Sequence, residues 1–514
     1  MTGARTEDEG MQKIKPLLEK YWFVPVILIA IPLYGMNLGY GDLWNDETFT
    51  KELVSFPLPQ MLELLANDYH PPLYFLALKL FVSIFGSSAV ALRAFSAIAV
   101  LGTLILICGV GYRVLGKKGA LLLGLVSLTL PMQATFAHTA RMYTWASFAT
   151  TGVFLYALAE MKAPSKRNLA AFGGFTLLGA YIHYYCVFAA FCAHVFVFVH
   201  GRIRKNNLWK PHLITLSAVA AAYLPWVLTL LHQMGRVRQD FHQPPVSLLW
   251  TALCYVLPFY HTYYPSPLSN PLLLMFALLS LVGAILIIRR KSDYRLPLAL
   301  SLVVFNGTVL IAVIISFVLR PILFYRYMAT MMVLLAVPPA LFFLEVRRPL
   351  IRRLLLVAFL GIGLLTAYDA GKETVGPYRN VLRFIKEHHP EVTKIFHPTE
   401  LTVGPSLEYN AIGPWTHYWL AEDSVFYTNL GVYRRLRQVS RLDEMLEDGE
   451  EFCMVDFVDS PLNRRNFERV LSSSEQLAVD TVSDDKATVE GAGVKINIFT
   501  LRYLGASHSE GAAK

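Results

Sequence analysis

Charge is scarce in this chain: Asp, Glu, Lys and Arg make up 16% of its 514 residues, against 55% hydrophobic residues. Soluble domains carry roughly a quarter charged residues, so this balance excludes the ordinary globular class and points to an integral membrane protein. Cysteine is scarce as well. The five present, Cys108, Cys186, Cys192, Cys254 and Cys453, are scattered without any CxxC spacing. That excludes a disulfide framework or a paired-cysteine zinc site and leaves them as small core hydrophobes. No small-residue cleavage site follows the first apolar run, although Lys13, Lys15 and Lys20 precede it, so the run is expected to be a retained span and not a removed signal peptide. No internal repeat is evident.

What the chain has in quantity is apolar runs. Segments of the length a bilayer requires, about 17–25 residues, lie at 22–40, 88–112, 119–138, 142–161, 211–232, 271–289, 296–318, 323–345 and 351–369. The stretch 168–200 is too long for one helix and is interrupted by Tyr181-Ile182-His183-Tyr184-Tyr185, so it is split into two antiparallel spans. The expected fold is an α-helical polytopic membrane bundle of about eleven spans with interfacial helices. From about Gly371 onward the composition becomes that of a soluble domain. There, short apolar runs (Val392–Phe396, Ser424–Tyr427, Phe452–Val458, Val494–Tyr503) alternate with helix-like stretches (Tyr378–His389, Leu442–Leu446, Asn463–Leu471). This predicts a small α/β domain over 371–514, which holds no phosphate-binding glycine loop, metal motif or nucleophile elbow.

The net charge of +9, from 46 basic and 37 acidic residues, sits mainly in short loops between apolar segments, where it orients helices and calls for no nucleic-acid partner. Those loops decide how to read 71–85, a segment of about fifteen residues opened by Pro71 and Pro72. If it crossed the membrane, the basic loops at 113–118, 162–167, 202–210, 289–295 and 347–353 would all fall outside, against the positive-inside rule. As an interfacial helix it puts them all in the cytoplasm. The expected order is then a cytoplasmic segment 1–20, a membrane domain 21–370 with a first outer loop at 41–87, and an exoplasmic C-terminal domain. A second interfacial helix is expected at 246–260, before His261 and the Pro265-Ser266-Pro267 turn.

Under this topology the chemistry-bearing residues gather on the outer face, where ionisable groups near a bilayer are costly unless they act on something. The adjacent acids Asp46 and Glu47 follow the first span, and Asp68 and His70 follow in Asp68-Tyr69-His70-Pro71-Pro72. A site on that face has no nucleotide supply, so an activated donor would arrive on a lipid, and a sugar on a polyprenyl phosphate fits. Its leaving group needs neutralising charge more than an acid, and the attacking hydroxyl needs one carboxylate as base. Asp46 or Glu47 can be that base, or the pair can simply open a helix whose first turn favours acids. Arg326, inside the apolar run after Arg320, is placed to grip a phosphate. Arg93 and Arg141 meet either the carboxylates or the phosphate. His70 is a donor, a metal ligand or a helix-start histidine. With His261 it is a weak metal candidate, because no tight ligand spacing surrounds either residue.

Taken together, Asp46-Glu47, Asp68-Tyr69-His70-Pro71-Pro72-Leu73, Arg93, Ala140-Arg141-Met142-Tyr143 and Arg326-Tyr327 resemble the GT-C superfamily of polyprenyl-phosphate-sugar-dependent glycosyltransferases. The similar branch contains the protein O-mannosyltransferases and the aminoarabinose transferases that modify lipid A. The resemblance covers about 21–369. It implies an inverting transfer of a hexosyl or pentosyl group to a hydroxyl, with Asp46 as base, Glu47 supporting the loop and Arg326 near the donor phosphate. Substrate or phosphate contacts are implied for Tyr327, Arg93, Arg141, Tyr143, His70 and Asp68. No cofactor is assigned and a divalent metal is left open. The expected partners are the lipid-linked donor and a lipid, glycan or protein acceptor, and the expected location is a bacterial inner membrane. The rival readings are a lipid-linked-sugar transporter or flippase, which would line a path at midplane depth, and a glycan ligase.

Overall fold

The structure is a computed structural model that describes residues 21–204, 209–236, 268–319, 322–372, 378–397, 400–420, 432–439, 445–447, 449–457, 479–481, 487–491 and 494–503. His261, Arg320, the expected helix 246–260, the Pro265-Ser266-Pro267 turn and the stretches Ser424–Tyr427 and Asn463–Leu471 lie outside the described residues. Most of the chain is helical. Seven helical runs among the described residues are long and apolar enough to cross a membrane. Their outward faces carry bare leucine, isoleucine and valine, as at Leu228, Ile214 and Val318, which is the pattern of helices solvated by lipid. This is a multi-pass membrane protein.

The first span is shorter than expected. Helix α1 (Val24–Gly35) ends where the glycine-rich stretch begins, and Asn37 takes a left-handed φ of 65°. Three short helices follow its turn, α2 (Asn45–Ser55), α3 (Leu58–Ala66) and α4 (Leu73–Phe85), and then the long α5 (Ala89–Leu106). α4 has 13 residues, too few to cross a hydrocarbon core that needs about 17 or more. α5 is capped by the Ser88 hydroxyl, which accepts from the Ala91 N–H, and runs through a π turn into α6 (Tyr112–Ser127). The chain reverses inside α6 at Gly116, whose φ of 74° is open to glycine at no steric cost.

The expected span 119–138 is broken. α6 stops at Ser127, Leu130 is extended, and α7 (Pro131–Ala137) starts afresh, because Pro131 has no N–H for the preceding turn and pushes Leu130 out of helical conformation. The split expected near Tyr181–Tyr185 falls at one residue, His183, extended between α9 (Lys166–Ile182) and α10 (Tyr184–Ile203), with α8 (Tyr143–Lys162) before them. α11 (Trp209–Arg236), α12 (Ser269–Arg289), α13 (Arg295–Val318), a 3-10 turn (Tyr325–Met331), α14 (Met332–Glu345) and α15 (Pro349–Lys372) complete the bundle.

Beyond α15 comes α16 (Tyr378–His388), whose Tyr378, Val381, Leu382 and Ile385 recur at helical spacing and pack on Ile395, Cys453, Val455, Ile496 and Ile498 of a sheet. Its strands are β1 (Lys394–His397), β2 (Thr416–Leu420), β3 (Arg437–Val439), β4 (Glu451–Phe457), β5 (Val479–Thr481), β6 (Ala487–Gly491) and β7 (Val494–Tyr503). They run in the order β3-β2-β1-β4-β7-β5, with β6 also on β7. The first three strands and β4 pair in parallel and the rest antiparallel. Alternation sends Cys453 and Val455 to the α16 side and Phe452 and Met454 to the other, as a pleat requires. α17 (Glu400–Glu408) is the crossover from β1 to β2, and it lies on α2 of the membrane part.

Candidate active site

α2 opens with Trp44 extended and Glu47 Oε2 reaching back to the Trp44 N–H at 3.4 Å. Acids in a first turn are favoured by the backbone N–H groups that have no helical partner there. Adjacent residues on a helix point about 100° apart, so the two carboxylates diverge. Each meets a different arginine.

Glu47 turns toward α5. Its Oε1 accepts from Arg93 Nε at 2.9 Å and from the Ala140 N–H at 2.8 Å, and its Oε2 accepts from Arg93 Nη2 at 2.8 Å. The remaining Arg93 donors go to the carbonyls of Leu38, Tyr40 and Asp42. Both side chains are 0% exposed. Every guanidinium N–H is taken, so the expected substrate contact at Arg93 gives way to an ion pair that ties the first loop to the bundle.

Asp46 turns the other way. Its Oδ2 accepts from Arg326 Nη1 at 2.8 Å and stands 3.9 Å from Arg141 Nε. Arg326 comes from the 3-10 turn before α14 and lies over the rings of Phe324 and Trp44, 4.6 and 5.8 Å from their centroids. Arg141, between α7 and α8, donates through Nη1 to Thr50 Oγ1 at 3.2 Å. Its Nη2 lies 3.2 Å from His70 Nε2, and His70 Nδ1 lies 2.7 Å from Asp68 Oδ2. Thr50, one turn after Asp46 on the same helix face, also donates to the Asp46 carbonyl at 2.7 Å. That hydroxyl was missed from the sequence, although the four-residue spacing was there to read.

Burial holds the His70 pKa below its ordinary 6.5, against the pull of Asp68 and with the help of Arg141. A neutral ring has a lone pair on one nitrogen only. With Asp68 holding the Nδ1 proton, Nε2 is the acceptor for the Arg141 guanidinium. This is the wrong surrounding for a metal, and among the described residues no three His, Cys, Asp or Glu side chains converge on a cation. His261 cannot be placed, as it lies outside the described residues. Asp68 is fully buried, with Oδ1 lacking a hydrogen-bond partner among the described residues.

Tyr143 and Tyr327 stand beside the same arginines in an aromatic group with His183 and Tyr185. Tyr143 is centred 5.8 Å from His183 and 6.5 Å from Tyr327, and Tyr327 is 5.2 Å from Tyr185. The Tyr143 hydroxyl is buried with no hydrogen-bond partner among the described residues. The sequence candidates Asp46, Glu47, Asp68, His70, Arg93, Arg141, Tyr143, Arg326 and Tyr327 are therefore brought into one connected cluster at one end of the bundle. Trp44 joins it under the Arg326 guanidinium and Thr50 joins it through Arg141.

Residues 69–229 match the family model described as dolichyl-phosphate-mannose-protein mannosyltransferase. No curated protein matches the chain significantly. Among solved structures, two crystal structures of ArnT from Cupriavidus metallidurans resemble it, one bound to undecaprenyl phosphate and one in the apo state. Each has a TM-score of 0.56 and covers 93% of this chain and 98% of the other, at 12% and 11% identity respectively. The chain therefore has the fold seen in ArnT, and in its residues 69–229 it is similar to the dolichyl-phosphate-mannose-protein mannosyltransferase family.

Proposed function

We propose that this protein is an inverting glycosyltransferase that moves a hexosyl or pentosyl group from a polyprenyl phosphate to a hydroxyl of a lipid, glycan or protein at the exoplasmic face. The observation that carries this reading is the 2.8 Å contact between Asp46 and Arg326, 280 positions apart in the chain. It supports a site where a base and a phosphate-binding cation share one space. The similarity to a structure titled as bound to undecaprenyl phosphate supports the lipid class of the donor. The basic loops support a cytoplasmic N-terminus and an exoplasmic C-terminal region.

In the resting arrangement Arg326 holds Asp46 Oδ2. An arriving lipid phosphate offers the guanidinium a bidentate partner and so releases the carboxylate. Asp46 then takes the proton of the acceptor hydroxyl as its oxygen attacks the anomeric carbon from the face opposite the phosphate. The bond from that carbon to the phosphate oxygen breaks, and the electron pair leaves on the phosphate. Arg326, with Arg141 behind it, meets the charge that develops there. Glu47 and Arg93 take no part in the transfer and fix the height of the helix.

Asp46→Asn keeps the shape and the hydrogen bond to Arg326 but removes the base. Transfer from a polyprenyl-phosphate sugar, followed by mass spectrometry of the product, is expected to fall by about 10²–10⁴-fold with the fold intact. A well-folded Asp46→Asn protein that turns over at the wild-type rate removes Asp46 from this role.

A further inference from the structure

Helix α2 has two working faces. Asp46 and Thr50 point at the arginines of the bundle, whereas Asn45, Thr48, Glu52 and Ser55, spaced three or four residues apart, lie on the opposite face. That second face is gripped by the sheet region. Tyr433 donates to Asn45 Oδ1 at 3.2 Å and lies 3.5 Å from Thr48 Oγ1. Arg434 donates to Ser55 Oγ at 3.2 Å and covers the Phe56 ring at 3.8 Å. Lys51 pairs with Glu408 at the end of α17. Just ahead of the helix, Leu43 N–H donates to the Tyr409 hydroxyl at 2.8 Å, and Asp42 accepts from both the backbone N–H and the guanidinium of Arg379.

The approach is close enough to need a glycine. A Cβ at Gly404 would stand 2.1 Å from Thr48 Oγ1 and 2.5 Å from the Tyr433 oxygen, distances no side chain can occupy. α17 thus presents bare backbone to α2 at Thr48, two residues from Asp46. The bundle holds the same turn by the sealed Glu47 pair, by way of Arg93 and the Ala140 N–H, and by the open contacts of Arg326 and Arg141 with Asp46 and Thr50. A rotation of α2 about the sealed Glu47 pair would carry the Asp46 carboxylate away from Arg326, and the contacts on the outer face oppose it.

We propose that Tyr433 and Gly404 are positioning residues of the active site: the sheet region clamps the outer face of α2 and so sets where the Asp46 carboxylate stands between Arg326 and Arg141. This rests on the reading of Asp46 as base. It makes the C-terminal region a component of the catalytic apparatus that acts through α2. A misplacement of about 1 Å costs on the order of 10²-fold in rate, so small losses of clamping are visible in turnover before they are visible in folding.

The test uses the full-length protein in lipid nanodiscs. Tyr433→Phe removes the bonds to Asn45 and Thr48, and Gly404→Ala pushes the helices apart. Both are expected to speed deuterium exchange of the amides at 45–50 while those of β4 stay protected, and to lower kcat by about tenfold or more at unchanged KM for a polyprenyl-phosphate sugar. Because either variant could fold poorly, a charge exchange provides an independent arm. Lys51→Glu and Glu408→Lys should each raise exchange and lower kcat, and the double variant should restore both. Arg502→Gln, which breaks an exposed pair with Glu451 on the sheet, should change neither.

Unaltered exchange at 45–50 in Tyr433→Phe and in both charge variants overturns the proposal, as does altered exchange with wild-type kcat. If the wild-type protein transfers no sugar from any polyprenyl phosphate, the function proposed above fails. In that case the exchange measurements alone decide whether the clamp exists.

Discussion

The two ion pairs that leave the first turn of α2 differ in how completely the chain closes around them. On one side, Glu47 and Arg93 are sealed: neither side chain is exposed, each guanidinium N–H has an acceptor, and three of those acceptors are backbone carbonyls of the loop itself. On the other, Asp46 meets one arginine at 2.8 Å and a second only at 3.9 Å, and the Arg326 side chain keeps 15% of its surface open. A sealed pair with every donor satisfied contributes geometry, because any exchange of partners would strand a buried charge. An open pair with a loose third member can trade partners. Neighbouring residues of one type have thus been given different work by what surrounds them.

The largest expected effect breaks the sealed side. Glu47→Ala leaves the Arg93 guanidinium buried without its carboxylate, and stability should fall by about 3–5 kcal/mol. Thermal unfolding in detergent measures this, with Asp46→Asn as the comparison that should move little. Equal losses in the two variants would erase the distinction between the pairs. Next, Arg326→Lys keeps the charge and loses the planar fork, so kcat/KM for the lipid-linked donor should drop by about tenfold, or ~1.4 kcal/mol. A variant with unaltered donor dependence would move the phosphate elsewhere. Thr50→Val removes the hydroxyl that Arg141 Nη1 uses and should lower turnover by about fivefold, equivalent to ~1 kcal/mol, without changing the melting temperature beyond that of an ordinary polar substitution.

The smallest effect is on pH. The folded pKa of His70 lies below 6.5, so as pH falls through 6.5 the unfolded chain takes up a proton that the folded chain refuses. Stability from this residue is therefore greatest above pH 6.5. It declines below that value by less than about 1.4 kcal/mol per pH unit, until the folded ring also protonates, which Asp68 and Asp46 favour and Arg141 and burial oppose. Denaturation profiles of the wild type and of His70→Gln measure the difference; identical slopes between pH 6.5 and 5 would show that His70 is not kept neutral.

Where local sequence carries the physics, the fold was legible. β7 runs over Val494–Tyr503 as its apolar β-branched pattern indicates, α16 covers Tyr378–His388, and the long run 168–200 breaks at His183. The break before Pro131 was overlooked because hydropathy continues through it while the backbone does not. β2 (Thr416–Leu420) is a strand because β1 and β3 flank it, and its mixed His, Tyr and Trp pattern gives no alternation of its own. At the site, the polar residues stood out against an apolar background, since a membrane chain keeps few of them without cause. Their partners did not stand out: Arg93 offered itself equally to a carboxylate and to a phosphate until the carbonyls of 38–42 were seen to fill it.

From sequence alone came the membrane class, the alternation of spans with basic loops, and the residue types of the cluster. These are local matters, fixed by transfer energies along a helix and by the small number of charges an apolar chain carries. Tertiary structure alone decided which acid is sealed and which is open, that Thr50 belongs to the open side, and that Tyr433 and Gly404 press on the helix bearing both acids. Those facts depend on segments hundreds of residues apart meeting within hydrogen-bond distance, and a hydrogen bond or ion pair acts over a few ångströms of space, whatever the separation along the chain.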